Sequence, residues 1–94
     1  MLVKETVKTH SATEMIQIDS IVEKAVKKSG IQEGTCLLWV PHTTAGITIN
    51  ENADPHVAED ILMEVNKVIP FSDGYRHREG NSAAHIKSSL FSPS

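Results

Sequence analysis

Three histidines are the residues whose chemistry is hardest to explain by packing alone. His42 directly follows an apolar run, His77 lies in a polar segment, and His85 lies eight positions further along. Neutral imidazole is a common zinc ligand, and three imidazoles leave the open position of a catalytic zinc site. The spacing of His77 and His85 matches neither HExxH nor a zinc finger. From the residues alone, metal ligation and ordinary hydrogen bonding to buried backbone groups both stay open. His10 and His56 are expected to face solvent.

Polar side chains accompany these histidines and indicate what a site here would bind. The loop 41–46 (PHTTAG) follows the apolar run directly, where hydroxyls and backbone amides can converge on a ligand. Nearby carboxylates could orient a metal ligand or act as a base. An asparagine at a helix N-terminus would add donors for an anion such as phosphate. The candidate catalytic residues are Glu51, Asp73 and Lys87, and the candidate ligand-binding residues are Thr43, Thr44, Asn52 and Asn81, beside His42, His77 and His85 if these three hold a metal.

Four short segments have the composition of β-strands, and they would position the loop that contains His42. Residues 2–9 alternate as an edge strand does, and residues 15–18 form a second extended piece. Residues 35–40 are almost continuously apolar and include the single cysteine, Cys36, which predicts a strand covered on both faces. Residues 46–50 place Ile47 and Ile49 on one face. Together these segments predict a central sheet.

Three amphipathic segments predict helices that lie on this sheet, because their apolar residues recur with helical spacing. The N-terminal signals are a capping box, an Asp-Pro pair and an asparagine, and the first two helices have clear stops. The first helix is predicted to start at Ser20 with Glu23 and to end at Gly30. The second is predicted to start at Asp54 with Pro55 and to end at Pro70. The third is predicted to start at Asn81 and to span 81–90. The third helix offers Ala84, Ile86 and Leu90 for packing.

Length and composition limit the classes of function that the chain can have. Ninety-four residues and 10.3 kDa fit one small domain, which leaves room for one site. Nine basic against 12 acidic residues, with few aromatics, give no support to nucleic-acid binding. No apolar run is long enough to cross a membrane, and a single cysteine cannot form an intramolecular disulfide, so we expect a cytoplasmic protein. So small a core also favours oligomerisation.

Three segments together carry a resemblance to a known family. They are the run 41–54 (PHTTAGITINENAD), the loop with Asp73, Tyr75 and His77, and Gly80 to Ser82 leading into Ala84 to Lys87. In this order they resemble the YjbQ family, also called the uncharacterised protein family UPF0047. The resemblance covers essentially the whole chain. Family members continue beyond the region of Pro93 with further strands and a Gly-Thr-Trp-Gln stretch, so residues 1–94 are expected to form a single, C-terminally incomplete YjbQ-like domain.

The resemblance implies a fold and an assembly. The fold is α+β, a twisted barrel-like swirl of mixed strands with packed helices, here without its C-terminal strands. The assembly is a homotrimer. The resemblance also implies a pocket around family histidines that fall on His42, His77 and His85, holding a divalent metal such as zinc.

The activity implied by the resemblance is that of a secondary thiamine-phosphate synthase, which joins phosphorylated pyrimidine and thiazole precursors. Such a transferase must stabilise a departing diphosphate, for which Thr43, Thr44 and Asn81 could supply donors and Lys87 or Arg76 a cation. Two alternatives stay open. One is a homotrimer that only binds a metal or a small phosphorylated ligand, and the other is a metal-assisted hydrolase with Glu51 as base.

Overall fold

Three α-helices are the only regular secondary structure in this computed structural model, which describes residues 1–94. They are α1 (Asp19–Ser29), α2 (Pro55–Val68) and α3 (Ser82–Phe91). The chain divides into two compact units, with α1 in Met1–Leu37 and the other two helices in Leu38–Ser94. The prediction of a single domain over residues 1–94 stays a prediction. None of the three helices combines the length and apolar character needed to cross a bilayer.

Helix α1 forms where the apolar periodicity predicts it, but it begins without the predicted capping box. Ile18 is the N-cap residue and no side chain caps the helix, so Ser20 already lies inside the first turn. The C-terminus is as predicted. Gly30 adopts a left-handed conformation with φ 71°, and its N–H donates to the carbonyl of Lys27. A capping box requires a non-helical Ser20, and the earlier helix start removes that condition.

Helix α2 confirms both of its predicted N-terminal signals. The side chain of Asp54 accepts a hydrogen bond from the backbone N–H of His56, and Pro55 occupies the first turn. Its C-cap residue is Ile69, one position before the predicted stop at Pro70. The predicted apolar stripe is the less exposed face of the helix: Val57, Ala58, Ile61, Leu62 and Val65 are half-buried, and Ile69 is buried.

The predicted α+β fold, a barrel-like swirl of strands, is wrong for this structure, because residues 1–94 contain no strand. A strand exists only through a ladder of hydrogen bonds to a neighbour. Two of the predicted strands make one long-range backbone bond each. The N–H of Val40 donates to the carbonyl of Pro93 and that of Ile47 to the carbonyl of Ser92, both just beyond α3. Single bonds of this kind hold two segments together without making a sheet.

Several of the residues predicted to lie inside the sheet are accordingly exposed. Cys36 is exposed, and the side chains of Leu37 and Trp39 keep 77% and 63% of their surface in contact with solvent. The buried core consists of Ile69 and Ala83, so α3 packs through the residue before the predicted Ala84, while Ile86 and Leu90 are exposed. β-branched composition identifies segments that suit a sheet, but it does not supply their partners.

Candidate functional site

The segment between α2 and α3 carries His77 and is fixed at both ends. At its start, the hydroxyl of Tyr75 donates a hydrogen bond of 2.6 Å to the carbonyl oxygen of Pro70, directly after α2. At its end, Gly80 takes φ 77°, a conformation that side chains disfavour, and the chain then enters α3. These two features hold His77 in a short loop against the N-terminal half of α3.

Helix α3 presents His85 to this loop. Ser82, His85 and Ile86 are spaced three and four residues apart, so they share one face of the helix. The imidazole rings of His77 and His85 meet edge to face, with centroids 5.4 Å apart and planes at 80°. Two of the three predicted metal ligands therefore lie together in the structure.

Two neighbouring cavities lie beside this imidazole pair, one lined by both rings and the other by His77 alone of the two. One, of about 410 Å³, is lined by both imidazoles and by Tyr75, Arg76, Ser82 and Ile86. The other, of about 270 Å³, shares Tyr75, His77 and Ser82 and is also lined by Asp73. The larger cavity has a guanidinium, two imidazoles and two hydroxyls but no carboxylate, and the only carboxylate of the smaller one belongs to Asp73. The site therefore offers nitrogen ligands and anion-binding groups on one side and a carboxylate on the other.

The remaining acidic group near the pair is Glu79. Its Oε1 lies 4.0 Å from Nε2 of His77, and both side chains are well exposed to solvent. An exposed pair at this distance contributes little, because water screens it. No three histidine, cysteine or acidic side chains come close enough together to hold a metal ion.

His42 is not grouped with the other two predicted ligands. It lies in the exposed loop 41–46, together with Thr43 and Thr44, which form a turn. Glu51 and Asn52 are also exposed and line neither cavity. The structure therefore brings together Asp73, His77 and His85 from the predicted set, and leaves these five residues outside the two cavities.

The two predicted residues on α3, Asn81 and Lys87, have other partners or none. Asn81 is the N-cap residue, but its side chain caps nothing, and its Oδ1 is buried without a hydrogen-bond partner. The Nζ of Lys87 donates to Oδ1 of Asn66 on α2. That contact ties α3 to α2, and Lys87 lines neither cavity.

The sequence did not predict the positions of the Ser82 and Ser88 hydroxyls, and it favoured Lys87 over Arg76 as the cation. Ser82 lines both cavities, and its position after the helix N-cap was the available signal. Arg76 lines the larger cavity, whereas the sequence offered it only as an alternative to Lys87. The hydroxyl of Ser88 donates to the carbonyl oxygen of Thr43, 45 positions earlier. No local pattern predicts a contact over that separation.

The chain is similar to known proteins over most of its length. A family model described as UPF0047 protein YjbQ-like matches residues 4–94. A UPF0047 protein of Methanocaldococcus jannaschii is 48% identical over 90 residues, which are 96% of this chain and 65% of that protein. The UPF0047 protein YugU of Bacillus subtilis is 50% identical over 90 residues, 95% of this chain and 68% of that protein.

A solved structure is similar over almost the whole chain. It is the crystal structure of an uncharacterised YjbQ/UPF0047 family protein from Clostridium acetobutylicum, 49% identical with a TM-score of 0.94. The match covers 98% of this chain and 71% of that one. The chain thus spans about two thirds of the length of the relatives it matches.

Proposed function

The chain belongs to the UPF0047 family of YjbQ-like proteins, and on this premise we propose that it binds a divalent transition metal and a small phosphorylated molecule at the His77–His85 pair. The observation that carries the proposal is the contact between the two imidazoles inside a shared cavity. Imidazole nitrogen favours zinc and related metals over magnesium, which prefers oxygen ligands.

The imidazoles of His77 and His85, whose ring centroids lie 5.4 Å apart, would be two of the nitrogen ligands of such a metal. His42 is the proposed third ligand, because it completes the three-imidazole set and its loop is held against the same helix through Thr43 and Ser88. A bound metal supplies a Lewis acid at this site.

The lining of the larger cavity supports the phosphorylated ligand. Arg76 can bind phosphate oxygens with two parallel N–H donors, and the hydroxyl of Ser82 is a further candidate donor. Because no carboxylate lines this cavity, an anion meets no fixed negative charge there. Four other predicted ligand-binding residues lie outside both cavities, namely Thr43, Thr44, Asn52 and Asn81. They would contact the ligand only if their loop or the N-terminus of α3 approached it.

The reaction we propose, by family resemblance, is the thiamine-phosphate synthase-like joining of phosphorylated pyrimidine and thiazole precursors. Arg76 would bind and orient the departing diphosphate, and Ser82 would donate a hydrogen bond to one of its oxygens. Lys87, which donates a hydrogen bond to Asn66 on α2, would hold α3 in place for this site. The proposed assembly is a homotrimer.

A second candidate, metal-assisted hydrolysis, is favoured by the position of Asp73. This carboxylate lines the smaller cavity together with His77, where it can act as a base toward water. Glu51, the base first predicted, lines neither cavity. Release of inorganic phosphate without joining of two precursors separates this reaction from the transferase.

Zinc titration of single variants tests the metal site. We expect His77→Ala and His85→Ala each to weaken zinc binding at least about tenfold, since each removes a ligand. His56→Ala is the matched control, because His56 is an exposed histidine on α2 that lines neither cavity. Isothermal titration calorimetry measures all three. Zinc affinity unchanged in both cavity variants would contradict the proposal.

Binding of inorganic pyrophosphate tests the anion site. Arg76→Ala should weaken it about tenfold, because the guanidinium supplies charge and paired donors. Arg78→Ala is the control, since Arg78 lies two positions away and lines neither cavity. Equal weakening by the two variants would indicate general charge attraction and would count against a site at Arg76.

A further inference from the structure

Two opposite charges in the segment between α2 and α3 line different cavities. Asp73 lines the smaller cavity, and Arg76, in the same short segment, lines the larger one. The carboxylates that form ion pairs in the structure are others, namely Glu14, Asp54, Glu64 and Glu79. Asp73 and Arg76 therefore do not neutralise each other, and each charge is available to a ligand in its own cavity.

The two cavities are neighbours because they share part of their lining. Tyr75, His77 and Ser82 line both of them. The position of Tyr75 is fixed by the hydrogen bond from its hydroxyl to the carbonyl oxygen of Pro70. With volumes of about 410 and 270 Å³, the two cavities together have the size of an ordinary small-molecule site. One small molecule can therefore occupy both.

The lining of the smaller cavity favours a cation. Asp73 supplies a carboxylate, and Phe71 and Tyr75 supply aromatic rings, whose faces attract positive charge. No lysine or arginine lines this cavity, so a cation meets no permanently charged group of its own sign. The larger cavity has the reverse character, because its guanidinium is present without a carboxylate.

Two glycines curve the backbone around the smaller cavity. Gly74 and Gly80 both line it, with φ angles of 63° and 77°. Side chains disfavour this left-handed conformation, and glycine adopts it readily. Gly74 directly follows Asp73, and Gly80 lies just before α3. The two turns therefore bring Asp73 and Ser82, from opposite ends of the segment, to the lining of one cavity.

We propose that Asp73 is a specificity-determining residue, which binds the positively charged nitrogen of a ligand whose phosphate is bound by Arg76. The ligand class is then phosphorylated molecules that carry a protonated amine or another cationic nitrogen. The inference rests on the proposed anion site at Arg76, but it does not depend on a metal. A phosphorylated molecule without the cationic nitrogen binds through Arg76 alone, and more weakly.

Calorimetric titration of the metal-free chain with paired probes tests the inference. The pairs are aminoethyl phosphate with propyl phosphate, and aminobutyl phosphate with pentyl phosphate, matched in length and different in the charged end. In at least one pair, the aminoalkyl phosphate should bind about fivefold more tightly, the contribution of one exposed ion pair. Asp73→Asn should reduce this ratio below about twofold, because it keeps the size of the side chain and removes its charge. Equal affinities within both pairs, or a preference that persists in Asp73→Asn, would overturn the proposal.

Glu79→Gln is the matched control, since it removes a carboxylate from the same segment that lines neither cavity. It should keep the preference for the aminoalkyl phosphates. Equal loss of the preference in Glu79→Gln and Asp73→Asn would indicate general charge attraction and would overturn the assignment to Asp73.

Arg76→Ala distinguishes failure of the inference from failure of the anion site. This variant should weaken both members of a pair by a similar factor, because both carry the phosphate. Propyl phosphate affinity that is equal in Arg76→Ala and Arg78→Ala would show that the anion site is wrong, and the inference with it. Binding that depends on Arg76 but shows no preference for the ammonium group would overturn the inference alone.

Discussion

The imidazoles of His77 and His85, which form the proposed site, are held by different parts of the structure. His77 lies in the loop that the hydrogen bond from Tyr75 to Pro70 holds at the end of α2, and His85 lies on α3. Neither residue is buried. A ligand can therefore reach both rings without a conformational change in the core.

Glu14 provides a residue-scale test that is independent of the site. Its carboxylate accepts hydrogen bonds from the backbone N–H groups of His10 and Ser11, at 2.5 and 2.6 Å. The bond from His10, and then that from Ser11, lowers the pKa of Glu14 below the usual value of a glutamate. This turn is therefore stabilised at neutral pH, and the contribution is lost as pH falls through the lowered pKa.

An NMR titration of the Glu14 carboxyl carbon should show that lowered pKa directly. Glu14→Gln should remove the pH dependence of the His10 and Ser11 amide shifts. A Glu14 carboxyl that titrates at the usual value of a glutamate would mean that the turn does not form.

At the residue scale, the sequence predicted some of the residues that lie together, but not the whole group. Residue type alone marked the histidines as candidates, and Asp73, His77 and His85 do lie around neighbouring cavities. The prediction of Lys87 as a catalytic residue did not anticipate its hydrogen bond to Asn66, because that contact depends on how α3 lies against α2. Side-chain contacts between distant segments are set by packing, and packing is not visible in local spacing.

The N-termini of α2 and α3 allow a test at the scale of the helix. Asp54→Ala should lower the free energy of unfolding by about 1 kcal/mol, because it removes the hydrogen bond to the His56 N–H. Asn81→Ala should change it by less than about 0.5 kcal/mol, because the Asn81 side chain caps nothing. Urea denaturation measures both. An equal loss in the two variants would show that Asn81 does act as a cap.

The close approach of the loop to α3 makes Gly46 sensitive to substitution. Gly46→Ala should destabilise the chain by about 1–3 kcal/mol, because the new methyl would overlap Phe91 Cβ at 2.9 Å. Gly34→Ala is the control, since its Cβ would meet only the flexible methyl Cγ2 of Ile31, at 3.3 Å. Unfolding midpoints in urea compare the two. Equal stability of both variants would contradict the close approach.

Helices were predictable from the sequence and sheets were not, for one physical reason. The start of α2 at Pro55 and the end of α1 before Gly30 follow from signals within a few residues, and both appear in the structure. A strand needs a partner elsewhere in the chain. Residues 35–40 and 46–50 have the composition of strands, but their long-range hydrogen bonds go singly to Pro93 and Ser92.

At the scale of the whole molecule, many large apolar side chains are exposed to solvent. Only Ile69 and Ala83 are buried apolar residues, while Ile49 and Phe71 are largely exposed. Covering such side chains is the physical reason to expect self-association.

The proposed homotrimer predicts a solution mass three times the 10.3 kDa of the chain, measured by light scattering. Trp39, the only tryptophan, is 63% exposed in the single chain and serves as a reporter of contact between chains. Its fluorescence should shift to the red on dilution as an assembly that covers it dissociates. A monomeric mass, with tryptophan emission independent of concentration, would contradict the trimer.

The most direct test of the account is a zinc titration followed at the ring nitrogens of the five histidines by ¹⁵N NMR. The account predicts that the signals of His77 and His85 shift together and reach their end point at the same zinc concentration, while those of His10 and His56 stay in place. Unmoved signals from His77 and His85, or an equal shift of all five histidines, would contradict a metal site at the imidazole pair.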